Sequence, residues 1–195
     1  MLLSQAHRKQ QRQALRQARN NLSENVQQAA SQALIQQYST LIERLKLTPH
    51  RVALYMSNDG EISPQLLCNQ LWSQGISTYL PILDNQALRF NLYNQDSQWQ
   101  DNRFGIPEPV NGHVLAGQEL DIVFMPLVGF DRQGGRLGMG GGFYDRTFEG
   151  KNPTQPPLLI GLAHDCQEVD NLSIESWDIP LNGILTPTQI VLTDR

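Results

Sequence analysis

Apolar positions along the chain follow two rhythms. From residue 5 to 46 they recur at three- and four-residue steps. Leu15, Ala18, Leu22 and Val26 would share one face, which predicts an amphipathic helix. Ser23 followed by Glu24 reads as an N-cap that restarts the helix part-way. Pro49 marks its end. The segment is rich in glutamine, but its periodicity separates it from a disordered polar tract.

Beyond Pro49 short apolar runs alternate with turn residues. Residues 51–57 predict a strand, and Asn58-Asp59-Gly60 a turn. Ser63-Pro64 opens a helix, with a hydroxyl cap before a proline in the first helical position, and Gly75 stops it. Residues 76–83 form the next predicted strand. Residues 88–93 alternate as one arm of a small antiparallel element. Residues 94–117, with Gly105, Pro107 and Pro109, read as a loop. Residues 121–130 read as a buried central strand, followed by a glycine-rich loop and a helix starting near Tyr144. Residues 158–163 and 184–192 supply two more strands. This βαβ rhythm predicts an α/β fold: an open, mainly parallel sheet flanked by helices, three-layered and Rossmann-like, with an N-terminal helical arm. With no repeat and no linker, residues 1–195 read as a single domain.

Composition narrows the function classes. The formal net charge is −4, which disfavours general binding to nucleic acid. Apolar residues make up 39% and charged residues 17%, values of a globular chain rather than a disordered or fibrous one. Cys68 and Cys166 have no metal-site spacing and are expected to be reduced thiols. The N-terminus carries no signal-like apolar stretch, and the run at 122–130 is too short to span a bilayer. The expectation is a cytoplasmic protein, monomer or weak homodimer, without membrane or nucleic-acid partners.

The richest chemistry lies between Asp131 and Arg146. Glycines follow the most apolar strand directly, where open α/β sheets bind ligands. Their amides can turn onto an anion, and Arg136 can hold a phosphate with two parallel hydrogen bonds. The loop lacks the Gly-Lys-Ser/Thr of a Walker A motif, and Gly138-x-Gly140-x-Gly142 is not the dinucleotide spacing. Arg136-Leu137-Gly138-Met139-Gly140-Gly141-Gly142-Phe143-Tyr144-Asp145 resembles the RLGxGxGxYD signature of 5-formyltetrahydrofolate cyclo-ligases, and Pro126, Phe130-Asp131 and Gly134 fit its lead-in.

That resemblance covers nearly the whole chain and implies ATP as co-substrate, Mg²⁺ as cofactor and a reduced folate as substrate. It implies Arg136 and Asp145 as catalytic residues, with Arg136 on a solvent-facing loop. ATP contacts would come from Arg136, Leu137, Gly138, Met139, Gly140, Gly141, Gly142, Phe143 and Tyr144. Arg8, Arg12, Arg16 and Arg19 share a helix face. The family's Lys-x-x-Leu-Arg opening places Arg12 on the motif arginine, at ATP and folate. Arg8 or Lys9 stands for its lysine, and Gln11 stands where leucine is usual. The folate would meet Arg12, Met56, Glu61, Met139, Gly140, Gly141, Gly142 and Phe143. A carboxylate at Glu61 suits the adjacent N–H donors of a pterin edge. Asp145 and Asp178 would hold the metal, in keeping with its preference for oxygen ligands. His164-Asp165 has no accompanying nucleophile and reads as structural. Another ATP-dependent enzyme on the same scaffold, or a non-catalytic nucleotide- or RNA-binding module, remains the alternative.

Overall fold

The computed structural model describes residues 2–193, with side chains from residue 6 onward. The N-terminal helical segment is two helices, α1 (Leu2–Asn20) and α2 (Glu24–Leu45). The break falls at the expected place, although the Ser23 side chain makes no capping hydrogen bond. The apolar periodicity does not survive the break. Val26 is exposed, and among the described side chains of α1 the buried ones are Leu15 and Arg19.

The sheet contains β1 (Arg51–Ala53), β2 (Ser77–Asp84), β3 (Ala87–Tyr93), β6 (Val114–Leu115), β7 (Ile122–Pro126), β10 (Leu158–Leu162), β11 (Gly183–Leu185) and β12 (Ile190–Leu192). Their spatial order is β12-β11-β10-β7-β1-β2-β3-β6. The central five, β11 to β2, run parallel, and β12, β3 and β6 are antiparallel additions at the edges. Helix α3 (Gln65–Ser73) joins β1 to β2, and the Gln65 amide donates to Ser63 Oγ at 3.3 Å.

Apolar runs in β7 arise because both faces are covered. Ile122 and Phe124 pack with Leu34, Tyr38 and Leu41 of α2 and Leu67 and Leu71 of α3. Val123 and Met125 point the other way, among Phe90, Leu115, Phe148 and Leu159. A short helix, α4 (Phe143–Thr147), lies on that second side against β3.

Four strand expectations change. The β1 ladder stops at Ala53 rather than Ser57, because the chain peels away into the turn at 58–61. Residues 121–130 are not one strand. β7 ends at Pro126, which has no amide to continue a ladder, and Gly129–Phe130 forms β8 with β9 (Arg136–Leu137). Residues 184–192 form the β11–β12 hairpin, turned by a Thr186 amide donating to Gln189 O. The expected loop at 94–117 contains β6 and a further hairpin, β4 (Gln98–Asp101) with β5 (Pro107–Val110). Prolines are tolerated there because this ribbon has only two strands and each has a free edge.

Phe124 is fully buried between β7 and α2, with its ring 6.2 Å from that of Tyr38. Phe124→Ala should lower unfolding free energy by roughly 3–5 kcal/mol. Denaturant unfolding giving less than about 1 kcal/mol would contradict this packing.

Candidate functional site

Strand order reverses between β1, which leads to β2 on one side, and β7 on the other. Open sheets present a crevice at such a point, beyond the carboxyl ends of the strands. Helix α1 lies over it. Leu15 fits there because Gly129 has no side chain; a Cβ on Gly129 would come within 2.5 Å of Leu15 Cδ1. Arg19 is 0% exposed and spans the crevice. Its Nη1 donates to Leu127 O at 2.8 Å, its Nε to Asp59 O at 2.8 Å and its Nη2 to Asp59 Oδ2 at 2.9 Å.

The other arginines of the α1 face follow at helical spacing. Arg16 Nε donates to Asp59 Oδ2 at 2.7 Å. This bond is the main reason the Asp59 carboxyl lies well below the usual range, with Asn20 and Arg19 adding to it. Arg12 Nε donates to Gly138 O at 2.7 Å, tying the helix to the glycine-rich loop. Arg8 Nη1 donates to Asp178 Oδ2 at 2.9 Å. Lys9 is exposed off this face. Burial, then the flanking Arg8 and Arg16, lower the Arg12 pKa. Such crowding of positive charge creates a potential that an anion would relieve.

The loop leaves β9 and enters α4 through two glycines in the left-handed region, Gly140 at φ +96° and Gly142 at φ +65°. Helix α4 has only five residues, so its dipole adds little to the loop. Arg136 also departs from expectation. It is 8% exposed rather than solvent-facing, because it begins β9 and is held from two sides. Its Nε donates to Ile179 O at 3.1 Å and its Nη2 bonds Asp145 Oδ1. Burial lowers the Arg136 pKa, while Asp145 and Asp178 raise it. Asp145 Oδ1 also accepts the Ile179 amide at 3.1 Å, which brings it beside Asp178 in the chain.

On the β1 side, Met56 lines a cleft of about 460 Å³ with Trp99, Asp101 and Pro107. Three of these come from the β4–β5 hairpin that the sequence did not reveal. Glu61 lies at the end of the adjacent turn, where Oε2 accepts the Asn58 amide at 3.1 Å. Burial raises its carboxyl pKa above the ordinary carboxylate value, the Asn58 bond and Arg19 lower it, and Asp59 raises it. A second concavity, about 380 Å³, is lined by residues including Tyr38, His50 and Gly75, at the opposite end of the sheet from all of these groups.

The sequence pattern of the 5-formyltetrahydrofolate cyclo-ligase family matches residues 4–187. The chain belongs to that family. It is 45% identical over 184 residues to the 5-formyltetrahydrofolate cyclo-ligase of Haemophilus influenzae, covering 91% of this chain and 96% of the relative. The Escherichia coli K12 cyclo-ligase is 45% identical over 148 residues, 72% of this chain and 80% of the relative. The solved 5,10-methenyltetrahydrofolate synthetase of Aquifex aeolicus superposes with a TM-score of 0.82 at 27% identity, covering 96% of this chain and 93% of that one. Family membership makes the chain an enzyme, a ligase of folate one-carbon metabolism.

The candidate site brings together side chains from α1, the turn after β1, the β8–β9 hairpin, the glycine loop and residues 175–179. Among the described residues no three His, Cys, Asp or Glu side chains form a metal cluster. Mg²⁺ commonly takes one or two carboxylates and completes its shell with phosphate and water. Asp145 and Asp178 are oxygen donors of the right kind, brought to the same side of the site by the Ile179 amide on Asp145, with Arg136 and Arg8 as their present partners. His164 does not activate a nucleophile: Asp165 Oδ1 accepts the Thr186 and Thr188 hydroxyls instead. Both cysteines are free. Sequence reasoning did not single out Arg19 or Trp99 as site residues. The one signal for Arg19 was its place on the arginine face.

The Arg12–Gly138 bond predicts that the loop depends on α1. A charge-assisted hydrogen bond contributes about 1.5–3 kcal/mol. Arg12→Gln should therefore speed amide exchange at 138–142 by about tenfold or more, with the core amides of β7 unaffected. Unchanged exchange in the loop would show that α1 does not restrain it.

Proposed function

We propose that this chain converts 5-formyltetrahydrofolate and ATP to 5,10-methenyltetrahydrofolate, ADP and phosphate. The formyl oxygen attacks the γ-phosphorus and ADP leaves, giving an imidate-like phosphate at N5. N10 then attacks the activated carbon and loses its proton. The C–O bond breaks and inorganic phosphate departs, so the formyl oxygen leaves on phosphate. No enzyme nucleophile is needed. The observation that carries this reading is the convergence of Arg8, Arg12 and Arg136 with the glycine loop and two carboxylates beyond the strand ends.

In this reading the loop amides of 138–142 and Arg12 hold the phosphates, and Arg8 rather than Lys9 faces them. Arg136 supplies preorganised positive charge where negative charge grows. Asp145 and Asp178 would hold Mg²⁺, which would supply neutralisation of the phosphate charge. Glu61 accepts from the pterin edge, and Met56 packs on its flat ring across the cleft. In the same reading Phe143 and Met139 contact the folate. Residues 1–195 act as one domain, monomer or weak homodimer. Two free thiols agree with the reducing cytoplasm.

Methenyl-folate absorbance measured together with ADP release tests the reaction, which should require both ATP and Mg²⁺. Arg136→Ala should lower kcat by about 10²–10³, the usual cost of losing one preorganised donor. Because Arg136 is buried against Asp145, thermal stability is measured alongside, and Arg136→Lys separates charge from two-pronged geometry. Full turnover in EDTA, or near-wild-type turnover of a folded Arg136→Ala, would overturn the reading.

A further inference from the structure

A guanidinium with no solvent exposure is an expensive way to fasten a helix, because burying an ion costs several kcal/mol before any pairing. A leucine or methionine at position 19 would cover the crevice more simply. Arg19 does something an apolar side chain cannot. Its fork takes acceptors from both sides of the strand-order reversal: Leu127 O after β7, and the Asp59 carbonyl and carboxylate in the turn after β1. That turn carries Glu61, and Arg19 Nη2 lies 3.7 Å from Glu61 Oε1. The separation is close enough for charge attraction but too long for a hydrogen bond. Glu61 Oε1 therefore keeps its acceptor capacity, while Oε2 is steadied by the Asn58 amide.

We propose that Arg19 is a positioning residue for folate recognition, fixing the turn at 58–61 against β7 and keeping a positive charge behind the Glu61 carboxylate. The inference rests on the reading that Glu61 accepts from the pterin. A carboxylate needs its charge to accept from two neighbouring N–H donors at full strength. Several groups act on Glu61 besides Arg19. Asp59 lies in its own turn, Tyr55 extends β1, and Tyr144 comes from α4. His164, buried at the end of β10 with Nε2 unpartnered, is near Gly60 and Arg19. Of the groups around Glu61, Arg19 carries the positive charge within 4 Å. Burial works against ionisation at Glu61, and Arg19 opposes burial.

The experiment is a ¹³C-carboxyl NMR titration of Glu61 in the folate-free protein, with the signal assigned by Glu61→Gln. Folate affinity against pH is measured in parallel by calorimetry. Arg19→Met should raise the Glu61 midpoint by about one pH unit or more, since an opposite charge this close typically shifts a carboxyl by 1–3 units. Arg19→Lys keeps the charge and should shift it less. Asp59→Asn should move the midpoint down, because it removes a like charge and frees Arg19 Nη2 towards Glu61. Asp59 is partly exposed and outside the core, so this variant keeps the test alive if Arg19→Met does not fold. The acid limb of folate affinity should move with the midpoint in each variant. A Glu61 midpoint that stays put in Arg19→Met, or rises in Asp59→Asn, overturns the proposal. A midpoint that moves as expected while folate affinity ignores it upholds the Arg19–Glu61 link and overturns the pterin contact instead.

Discussion

A buried arginine holds the parts of this site together. Helix α1 has 19 residues, yet among its described side chains Leu15 and Arg19 are the buried ones. Most helical stability in proteins comes from tertiary packing, and for α1 these two contacts supply the buried part of it, with Arg8, Arg12 and Arg16 adding bonds at the edge. Leu15 enters the notch left by Gly129, and Arg19 bonds the backbone beyond β7 and the turn beyond β1. Once Arg19 is fixed, helical geometry places Arg16, Arg12 and Arg8 along the same face. Each then meets a different partner: Asp59, the loop at Gly138, and Asp178. One interaction thus sets the register between the helix, the turn and the loop.

The remaining charges are organised by pairing. Arg136 with Asp145, and Arg8 with Asp178, keep cations and carboxylates together. A triphosphate offers arginines acceptors as good as a carboxylate, but separating the buried Arg136–Asp145 pair carries a cost. On the proposed reading, phosphates would compete with Asp178 for Arg8, while Arg136 stays held by Asp145 and Ile179 O and acts from that fixed position. Positive-φ glycines at 140 and 142 allow the loop backbone to turn sharply between these groups.

Much of this was legible in the sequence because the signals were local. Apolar runs at 51, 76, 121 and 158 marked parallel strands, and the run from Arg136 to Asp145 marked the loop. What stayed hidden depended on distant parts of the chain. Gln98–Asp101 is exposed throughout and polar apart from Trp99, and its partner contains two prolines, so the β4–β5 hairpin gave no apolar alternation to read. Arg19 looked like one more solvated charge on a helix stripe, since only the tertiary fold brings Leu127 and Asp59 to it. Val26 looked like a core position until the helix break rotated it away. Arg136 looked exposed because glycine-rich segments usually are, whereas the β8–β9 pairing buries it.

The central claim is that the crevice between β1 and β7, under the arginine face of α1, is where both substrates meet. The most direct measurement is a crystal structure with a non-hydrolysable ATP analogue and 5-formyltetrahydrofolate bound together. The account predicts phosphate oxygens within hydrogen-bond distance of Arg12 and the amides of 140–142, and a pterin edge on Glu61 with its ring against Met56. Substrates seated instead in the concavity lined by Tyr38, His50 and Gly75, at the other end of the strands, would contradict it.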